Sequence, residues 1–304
     1  MMERISVSDF NRDELRQAMA EASSDKIGEL EDHSAEILWY MKHGRALRGI
    51  KLPWASTYDN VRLGTGLSVL AGINGHFKSV ISSMCVINAI QQEHKCGLIS
   101  LEMPLGDIAE IMAMQLADAV KSPGAEYVEN ELFPFLRGKF LVYDHIGSIK
   151  PMLALGAVQA MAQQGCKLIV LDSMMMTEVN DDNERERAFV QALIAIARTH
   201  KVHVMLIHHV RKLPQSDEIA PGRSDIKGSG SIVDLANLCV VVHHNKKKAW
   251  LVRKRDQLNK ALTKPEATYV EKNPDLRFIV IKNRASPFEG PVGLKQHGLN
   301  WYED

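Results

Sequence analysis

Residues 67–79 read Leu-Ser-Val-Leu-Ala-Gly-Ile-Asn-Gly-His-Phe-Lys-Ser, and this stretch decides the fold. A short apolar run enters a glycine-containing loop, and an apolar segment of helical length follows the loop. In phosphate-binding loops of this kind, backbone N–H groups surround the phosphates, a lysine reaches the β- and γ-phosphates, and a hydroxyl binds Mg²⁺. The stretch predicts a nucleotide-phosphate loop formed by Gly72, Asn74, Gly75, His76, Phe77, Lys78 and Ser79.

Phe77 departs from this motif, because it stands just before the lysine, where a glycine is expected. If the backbone needs a positive φ at this position, a residue with a Cβ is strained there. An aromatic ring would also crowd the phosphates. Two alternatives therefore stay open for the loop, namely hydrolysis of ATP and binding of ATP without turnover.

Beyond the loop, short apolar runs alternate with segments of helical length. The predicted strands are 67–71, 97–101, 139–143, 167–171, 202–207, 238–243 and 277–281. Nearly continuous Val, Ile and Leu runs separated by helices predict an α/β fold, a mostly parallel twisted sheet with helices on both faces. Ligands of such sheets bind beyond the carboxyl ends of the strands.

Three candidate catalytic residues follow predicted strands. Glu102 has the position of a base that activates water, although a glutamate before a proline also suits the start of a helix. Asp172 closes an apolar strand and is a candidate for ordering Mg²⁺ together with Ser79, or else for capping a helix. One of the two adjacent histidines His208 and His209 is a candidate contact for the γ-phosphate, or both are simply hydrogen-bonded at a strand end.

Basic residues form three groups. Arg211, Lys212, Arg223 and Lys227 lie in a Gly-, Ser- and Pro-rich region, which predicts contact with a nucleic-acid backbone or a solvated loop. The densest group, 246–248 with 253–255, is typical of a solvated helix face. Lys282 and Arg284 end the strand at 277–281, and in a ring of subunits they would reach a neighbour's γ-phosphate.

Composition sets wider limits. The 304 residues are 45% hydrophobic and 24% charged, with 37 basic and 37 acidic residues, so net charge does not indicate nucleic-acid binding. Balanced charge still allows basic groups to be collected on one face. The four cysteines lie in or beside apolar runs without metal spacing, as in a reducing cytosol. The sequence has no signal region and no membrane-spanning stretch, so we expect a cytoplasmic protein.

Residues 1–50 form a polar segment with an uneven apolar stripe, which predicts helix. The segment is too thin to bury a core. It either lies on its own domain or forms an arm that docks on a neighbouring subunit. We therefore predict two parts, an N-terminal helical segment at 1–50 and an ATPase domain at 51–304.

The order of these motifs resembles the RecA-like ATPase domain of DnaB-type replicative helicases, in a short phage- or plasmid-like form, over roughly residues 50 to 304. The stretches that carry the resemblance are Ile-Ser-Leu-Glu-Met at 99–103, the strand and Asp-Ser at 168–173, Ile-His-His-Val-Arg at 207–211, 224–231, and Lys-Asn-Arg at 282–284 followed by Gly-Pro-Val-Gly at 290–293.

The resemblance implies a hexameric ring with ATP and Mg²⁺ between subunits and single-stranded DNA in the channel. Glu102 would be the catalytic base, Asp172 and Ser79 the metal ligands, and His209 the γ-phosphate sensor. Lys282 and Arg284 would act on the neighbour's nucleotide, and primase and loader would be separate proteins. Lys227, where relatives often carry arginine, keeps the charge and loses the bidentate fork.

The prediction is thus an ATP-dependent, ring-forming DNA helicase that acts in replication. Two alternatives stay open. One is a RecA-type DNA-dependent ATPase that does not unwind DNA. The other is a helicase-like module that does not hydrolyse ATP and binds or inhibits another replicative helicase.

Overall fold

A computed structural model describes residues 29–43, 49–179, 182–211, 219–227 and 230–304. Two compact units divide the chain, 1–45 and 46–304. In the first unit, a 3₁₀ turn at Leu30–His33 leads into helix α1 (Ser34–His43). The predicted helix over residues 1–28 lies outside the described residues.

The second unit alternates strands and helices along most of its length. Its strands are β1 (Ile50–Lys51), β2 (Arg62–Leu63), β3 (Gly66–Gly72), β4 (Cys96–Ser100), β5 (Phe140–Asp144), β6 (Leu168–Asp172), β7 (His203–His209), β8 (Leu238–His244), β9 (Leu276–Asn283), β10 (Gly290–His297) and β11 (Asn300–Glu303). Its main helices are α2 (Lys78–Gln91), α3 (Leu105–Leu116), α4 (Pro151–Gln163), α5 (Asn183–His200), α6 (Gly230–Leu235), α7 (Lys246–Asp256) and α8 (Lys264–Lys272). Shorter helical segments lie at Ala55–Thr57, Ala125–Tyr127, Val128–Leu132, Phe133–Leu136, Met174–Met176 and Arg223–Asp225.

Nine of these strands form one sheet in the order β11-β10-β9-β8-β3-β7-β6-β4-β5. The strands from β8 to β5 are parallel, whereas β9, β10 and β11 continue the sheet in antiparallel fashion. The predicted α/β class with a mostly parallel sheet is confirmed. The carboxyl ends of β3, β4, β6, β7 and β8 share one edge of the sheet.

Side chains alternate between the two faces of the central strands, as the pleat requires. On β3, Leu67, Val69 and Ala71 pack into one buried core, and Leu70 packs into the other. Helix α2 covers the second core, while α4 and α5 cover the first. Because helices cover both faces of the sheet, the central strands are apolar throughout. Their continuous apolar runs are the signal that predicts them from the sequence.

Each of the seven predicted strands is present to within one or two residues at either end. The C-terminal hairpin of β10 and β11 has no counterpart among the predictions. Strand β10 contains Gly290, Pro291 and Gly293 and is partly exposed, so it lacks the apolar run that marks the central strands. The four cysteines are buried and free, as predicted.

Candidate functional site

The backbone of the loop between β3 and α2 requires glycine at two positions. Gly75 has a φ of 74°, in the left-handed region that glycine adopts without strain. A Cβ on Gly72 would lie 2.6 Å from the Val242 carbonyl oxygen, so this close approach to β8 also requires glycine. The N–H groups of Lys78 and Ser79 lie in the first turn of α2, where a helix has no acceptor for them.

Phe77 adopts the left-handed conformation, with φ 65° and ψ 23°. A non-glycine residue in this region costs about 1–3 kcal/mol, so the strain expected from the sequence is present. The ring packs edge-on against His244, with the ring centroids 4.9 Å apart, and lies 5.1 Å from the ring of Trp301. The ring therefore belongs to the packing between the loop and the C-terminal hairpin.

Lys78 is buried, and its ammonium group donates to the carbonyl oxygens of Gly72 and Ile73, both at 3.1 Å. Burial lowers the pKa of Lys78, and the negative charges of Asp172 and Glu102 oppose that shift. The ammonium group thus lies within the loop and is held by backbone dipoles. Phosphate oxygens are stronger acceptors for it than these carbonyls.

Asp172 ends β6 beside the start of α2. The Ser79 hydroxyl donates to Asp172 Oδ2 at 2.5 Å. Burial raises the pKa of Asp172 to about 6, and the Ser79 hydrogen bond opposes that shift. A hydroxyl and a buried carboxylate are oxygen ligands of the kind that Mg²⁺ takes alongside phosphate and water, so this pair fits the cation.

Glu102 follows β4, beside β6 in the sheet. Its carboxylate accepts from the Ser173 hydroxyl, and its Oε1 lies 3.8 Å from Nε2 of His209. The nearby imidazole of His209 is the main cause that lowers the pKa of Glu102, and burial opposes it. His209 Nδ1 in turn hydrogen-bonds Asn74 Oδ1 of the loop. Asn74, His209, Glu102 and Ser173 therefore form one connected polar network.

His208 points to the other face of β7 and is fully buried. Burial lowers its pKa to about 4, and its Nε2 hydrogen-bonds the Lys227 carbonyl oxygen at 2.7 Å. The Lys227 N–H donates to the His209 carbonyl oxygen at 2.9 Å. Lys227 is thereby fixed beside the strand that carries His209. Arg211 is joined to the same segment, because its N–H donates to the Asp225 carbonyl oxygen at 2.7 Å.

His76 is buried beneath the loop, and its Nδ1 accepts from the His244 N–H at 3.1 Å. Its ring centroid lies 5.5 Å from that of His243. This contact attaches the loop to the end of β8, so His76 supports the loop from below.

Lys282 and Arg284 lie away from this polar network. The Lys282 ammonium donates to the carbonyl oxygens of Val233 and Asp234 at 2.6 and 2.7 Å, and the Arg284 guanidinium donates to the Asp234 carbonyl oxygen. Arg223, predicted to contact DNA, forms an ion pair of 2.5 Å with the Asp234 carboxylate. We call Arg223, Lys282 and Arg284 the amino-edge cations.

These cations lie near the start of β8, since Leu238 pairs with Asn283. The loop contacts the other end of β8, at His244. Six residue steps along a strand correspond to about 20 Å. The fold therefore brings together Asn74, Lys78, Ser79, Glu102, Asp172 and His209, and it keeps Lys282 and Arg284 away from them.

Three residues of this arrangement were not singled out in the sequence. Ser173 lies directly after Asp172, and that position is its sequence signal. Asp234 and Trp301 reach their partners only through the fold and have no local signal. Lys212 falls outside the described residues.

Two further features are absent from the residues that the structure describes. None of the described helices combines the length and apolar character needed to cross a bilayer. In the same part of the chain, no group of three or more His, Cys, Asp or Glu side chains is arranged to hold a metal. A cation at Ser79 and Asp172 would thus take its remaining ligands from phosphate and water.

Comparison with known proteins gives one family and several similar folds. A family model described as an AAA domain matches residues 54–215, just over half of the chain. The structure resembles a solved structure described as an ATPase domain, with a TM-score of 0.68 and 14% identity, covering 92% of this chain and 100% of that one.

It also resembles a structure described as a DnaB-like replicative helicase with its interactions with primase, with a TM-score of 0.63 and 16% identity, covering 96% of this chain and 71% of that one. At these identities the likeness concerns the fold, and at that level the predicted resemblance to DnaB-type helicases is confirmed. No curated protein sequence matches the chain.

Proposed function

This chain belongs to the AAA domain family, and from that premise we propose that it is an ATP-hydrolysing, ring-forming DNA helicase that translocates on single-stranded DNA in replication. The fold shared with an ATPase domain and with a replicative helicase supports the ATPase part of the proposal. Unwinding, the ring and the role in replication are the parts that experiment must decide.

One observation carries the proposal. Lys78, Ser79, Asp172, Glu102 and His209 come from four different segments and meet at one edge of the sheet. Their hydrogen bonds link the end of β6, the loop and the ends of β4 and β7. A cation, a hydroxyl, two carboxylates and an imidazole supply the groups that phosphoryl transfer to water requires.

In this proposal each residue has a defined task. Lys78 exchanges its loop carbonyls for phosphate oxygens, and Ser79 with Asp172 would hold Mg²⁺. The cation, when bound, neutralises charge that develops on the phosphates. Glu102 accepts a proton from the attacking water, and its lowered pKa favours the ionised form that this task needs. His209, joined to both Glu102 and Asn74, registers the γ-phosphate.

The position of Lys282 and Arg284 supports the ring. They lie near the opposite end of β8 from the loop of their own chain, a distance of about 20 Å along the strand. If they stabilise the charge of the transition state, they do so for the nucleotide of an adjacent subunit. Single-stranded DNA is the proposed ligand of Arg211, Lys212, Arg223 and Lys227. Primase and loader are proposed as separate partners.

The test is ATP hydrolysis with and without single-stranded DNA, followed by strand displacement on a forked substrate. We expect DNA-stimulated turnover in the wild type and a loss of at least about a hundredfold in Lys78→Ala, because one charge-assisted contact to the transferred phosphate is removed. Lys121→Ala, at an exposed lysine, is the matched control and should keep wild-type rates.

Full turnover in Lys78→Ala would refute the assignment of the site. Turnover without strand displacement would instead support the ATPase that does not unwind DNA.

The strained Phe77 favours a second candidate function, a helicase-like module that binds ATP without turnover and joins another replicative ring. Phe77→Gly separates the two. An inactive wild type with an active glycine variant supports the module, and an active wild type rejects it. Co-assembly with a foreign replicative helicase, measured by mass photometry of mixtures, is expected only for the module.

A further inference from the structure

The helical hairpin of α7 and α8, residues 246–272, collects the positive charge of the chain. It contains nine Lys or Arg residues and three Asp or Glu residues, a net charge of +6 in 27 residues. The rest of the chain has 28 basic and 34 acidic residues and is therefore net negative. Charge that balances over the whole sequence is thus strongly separated in the fold.

Folding requirements account for only part of this charge. The Lys248 ammonium is buried and pairs with Asp275 at 3.0 Å. The Lys254 ammonium joins α7 to α8 through both carboxylate oxygens of Glu266, at 2.8 and 2.9 Å. Arg255 pairs with its neighbour Asp256 at 2.5 Å. Of these contacts, Lys254–Glu266 joins the two helices and Lys248–Asp275 ties α7 to the segment before β9.

The exposed cations of the hairpin are Lys246, Lys247, Arg253, Arg255, Lys260, Lys264 and Lys272. Two of them, Lys246 and Lys247, lie in the first turn of α7, where the helix dipole disfavours positive charge. Helix stability would favour acidic residues in this turn. The helix dipole therefore does not account for these two lysines. Lys247 does contact α8, since its Nζ lies 5.0 Å from the centroid of the Tyr269 ring.

Aromatic rings lie among the cations. Trp250 is 56% exposed, and Lys246, Arg253 and Lys254 are its neighbours at helical spacing. Lys254 Nζ lies 5.6 Å from the centroid of the Trp250 ring. On α8, Lys264, Thr268, Tyr269 and Lys272 line a shallow groove of about 550 Å³. An exposed ring between cations, as at Trp250, is an arrangement that binds single-stranded nucleic acid, by stacking on a base and pairing with phosphates.

The hairpin also lies at a suitable place in the fold. It follows β8, whose end contacts the phosphate loop through His244 and His76. In the sheet, β8 and β7 lie on either side of β3, so their ends are about 10 Å apart. The hairpin and Lys227, at the end of β7, thus flank the loop on the same edge of the sheet.

We propose that the α7–α8 hairpin is a binding surface for single-stranded nucleic acid, separate from the segment 211–227, with cations that contact phosphates and Trp250 that stacks on a base. Charge complementarity selects a polyphosphate strand, and the exposed tryptophan selects unpaired bases over an acidic protein or an anionic membrane. Binding at this surface does not depend on ATP hydrolysis.

The test measures binding of the full chain to a fluorescently labelled oligothymidylate by anisotropy, without nucleotide, at several salt concentrations. In Arg253→Ala/Lys264→Ala/Lys272→Ala we expect affinity to fall at least about tenfold at low salt. The slope of log affinity against log salt should decrease by about 2, since each phosphate contact to a single strand contributes about 0.7. Trp250→Ala should lower affinity at least about fivefold and leave this slope unchanged.

The matched control is Lys121→Ala/Lys150→Ala/Lys167→Ala, which removes the same charge from exposed positions outside the hairpin. Equal losses in both triple variants would overturn the proposal, because they would show a general charge effect. Tighter binding to anionic vesicles or to polyglutamate than to oligothymidylate would overturn it as well. Thermal unfolding midpoints of all variants show whether each is folded, and the Trp250 variant tests the surface without changing its charge.

Discussion

The two edges of the sheet present charge in different ways. At the carboxyl edge, Lys78 and Asp172 are 8% and 5% exposed. The Ser79 hydroxyl donates to Asp172, and the Lys78 ammonium donates to two carbonyl oxygens of the loop. At the amino edge, Arg223 and Asp234 are 57% and 65% exposed. There, Arg223 pairs with the Asp234 carboxylate, while Lys282 and Arg284 donate to the last carbonyl groups of α6.

This difference indicates which edge holds a site whose residues all come from one chain. Desolvated groups of opposite charge interact strongly and keep a fixed geometry. Exposed cations at a helix end interact weakly with their present partners and remain available to a stronger anion. In the proposed function, the carboxyl edge is the body of the nucleotide site, and the amino edge is the part that would act on a neighbour's nucleotide.

The largest effect that tests this comparison is expected for Arg284→Ala. Loss of a guanidinium that stabilises transition-state charge should lower the ATP hydrolysis rate by about 10³-fold or more. Nucleotide affinity should change only a fewfold, because the chain's own loop is intact. Arg277→Ala, at the opposite end of the strand β9 that Arg284 follows, is the control and should hydrolyse ATP at the wild-type rate.

Mixing decides whether Arg284 acts across subunits. Rings that combine Arg284→Ala with Lys78→Ala contain some sites with an intact loop and an intact neighbour, so part of the activity should return. Absence of any recovery in verified mixed rings would contradict the division of the site between two edges.

The next largest effect concerns His203, at the amino end of β7. Its ring hydrogen-bonds the Gly64 carbonyl oxygen at 2.6 Å and the Ser68 hydroxyl at 2.8 Å. Burial lowers its pKa to about 4, so the folded protein keeps this histidine neutral. An unfolded histidine has a pKa of about 6.5 and binds a proton as the pH falls below that value. Stability is thus fully present above about pH 6.5 and is lost as the pH falls toward about 4.

Because of this histidine, the free energy of unfolding should be about 2 kcal/mol lower at pH 5 than at pH 7.5. Urea denaturation of the wild type and of His203→Gln at both pH values measures the difference. The loss between pH 7.5 and pH 5 should be smaller by that amount in the variant. Identical pH dependence of the two proteins would show that His203 is not the group responsible.

The sequence predicts the carboxyl edge better than the amino edge, for a physical reason. Glu102, Asp172 and His209 each follow an apolar strand, and parallel strands bring their ends to one edge whatever the details of packing. Arg223, Lys282 and Arg284 meet at Asp234 only because β9 runs antiparallel to β8 and α6 ends beside it. That meeting depends on tertiary structure and has no local pattern in the sequence.

Phe77 shows the same limit within the loop itself. Its departure from the motif is evident in the sequence, and so is the strain that a positive φ would cause. The residues that its ring contacts are not evident in the sequence, because Trp301 belongs to a hairpin that lacks the apolar run of a central strand.

The smallest effect is expected at Phe77 and separates backbone strain from ring packing. Phe77→Ala and Phe77→Gly both remove the contacts with His244 and Trp301, so both should be less stable than the wild type. Only the glycine variant also relieves the left-handed strain. It should therefore be more stable than the alanine variant by about 1 kcal/mol in urea denaturation. An alanine variant as stable as the glycine variant would mean that residue 77 leaves the left-handed region, and the loop would then be unstrained in solution.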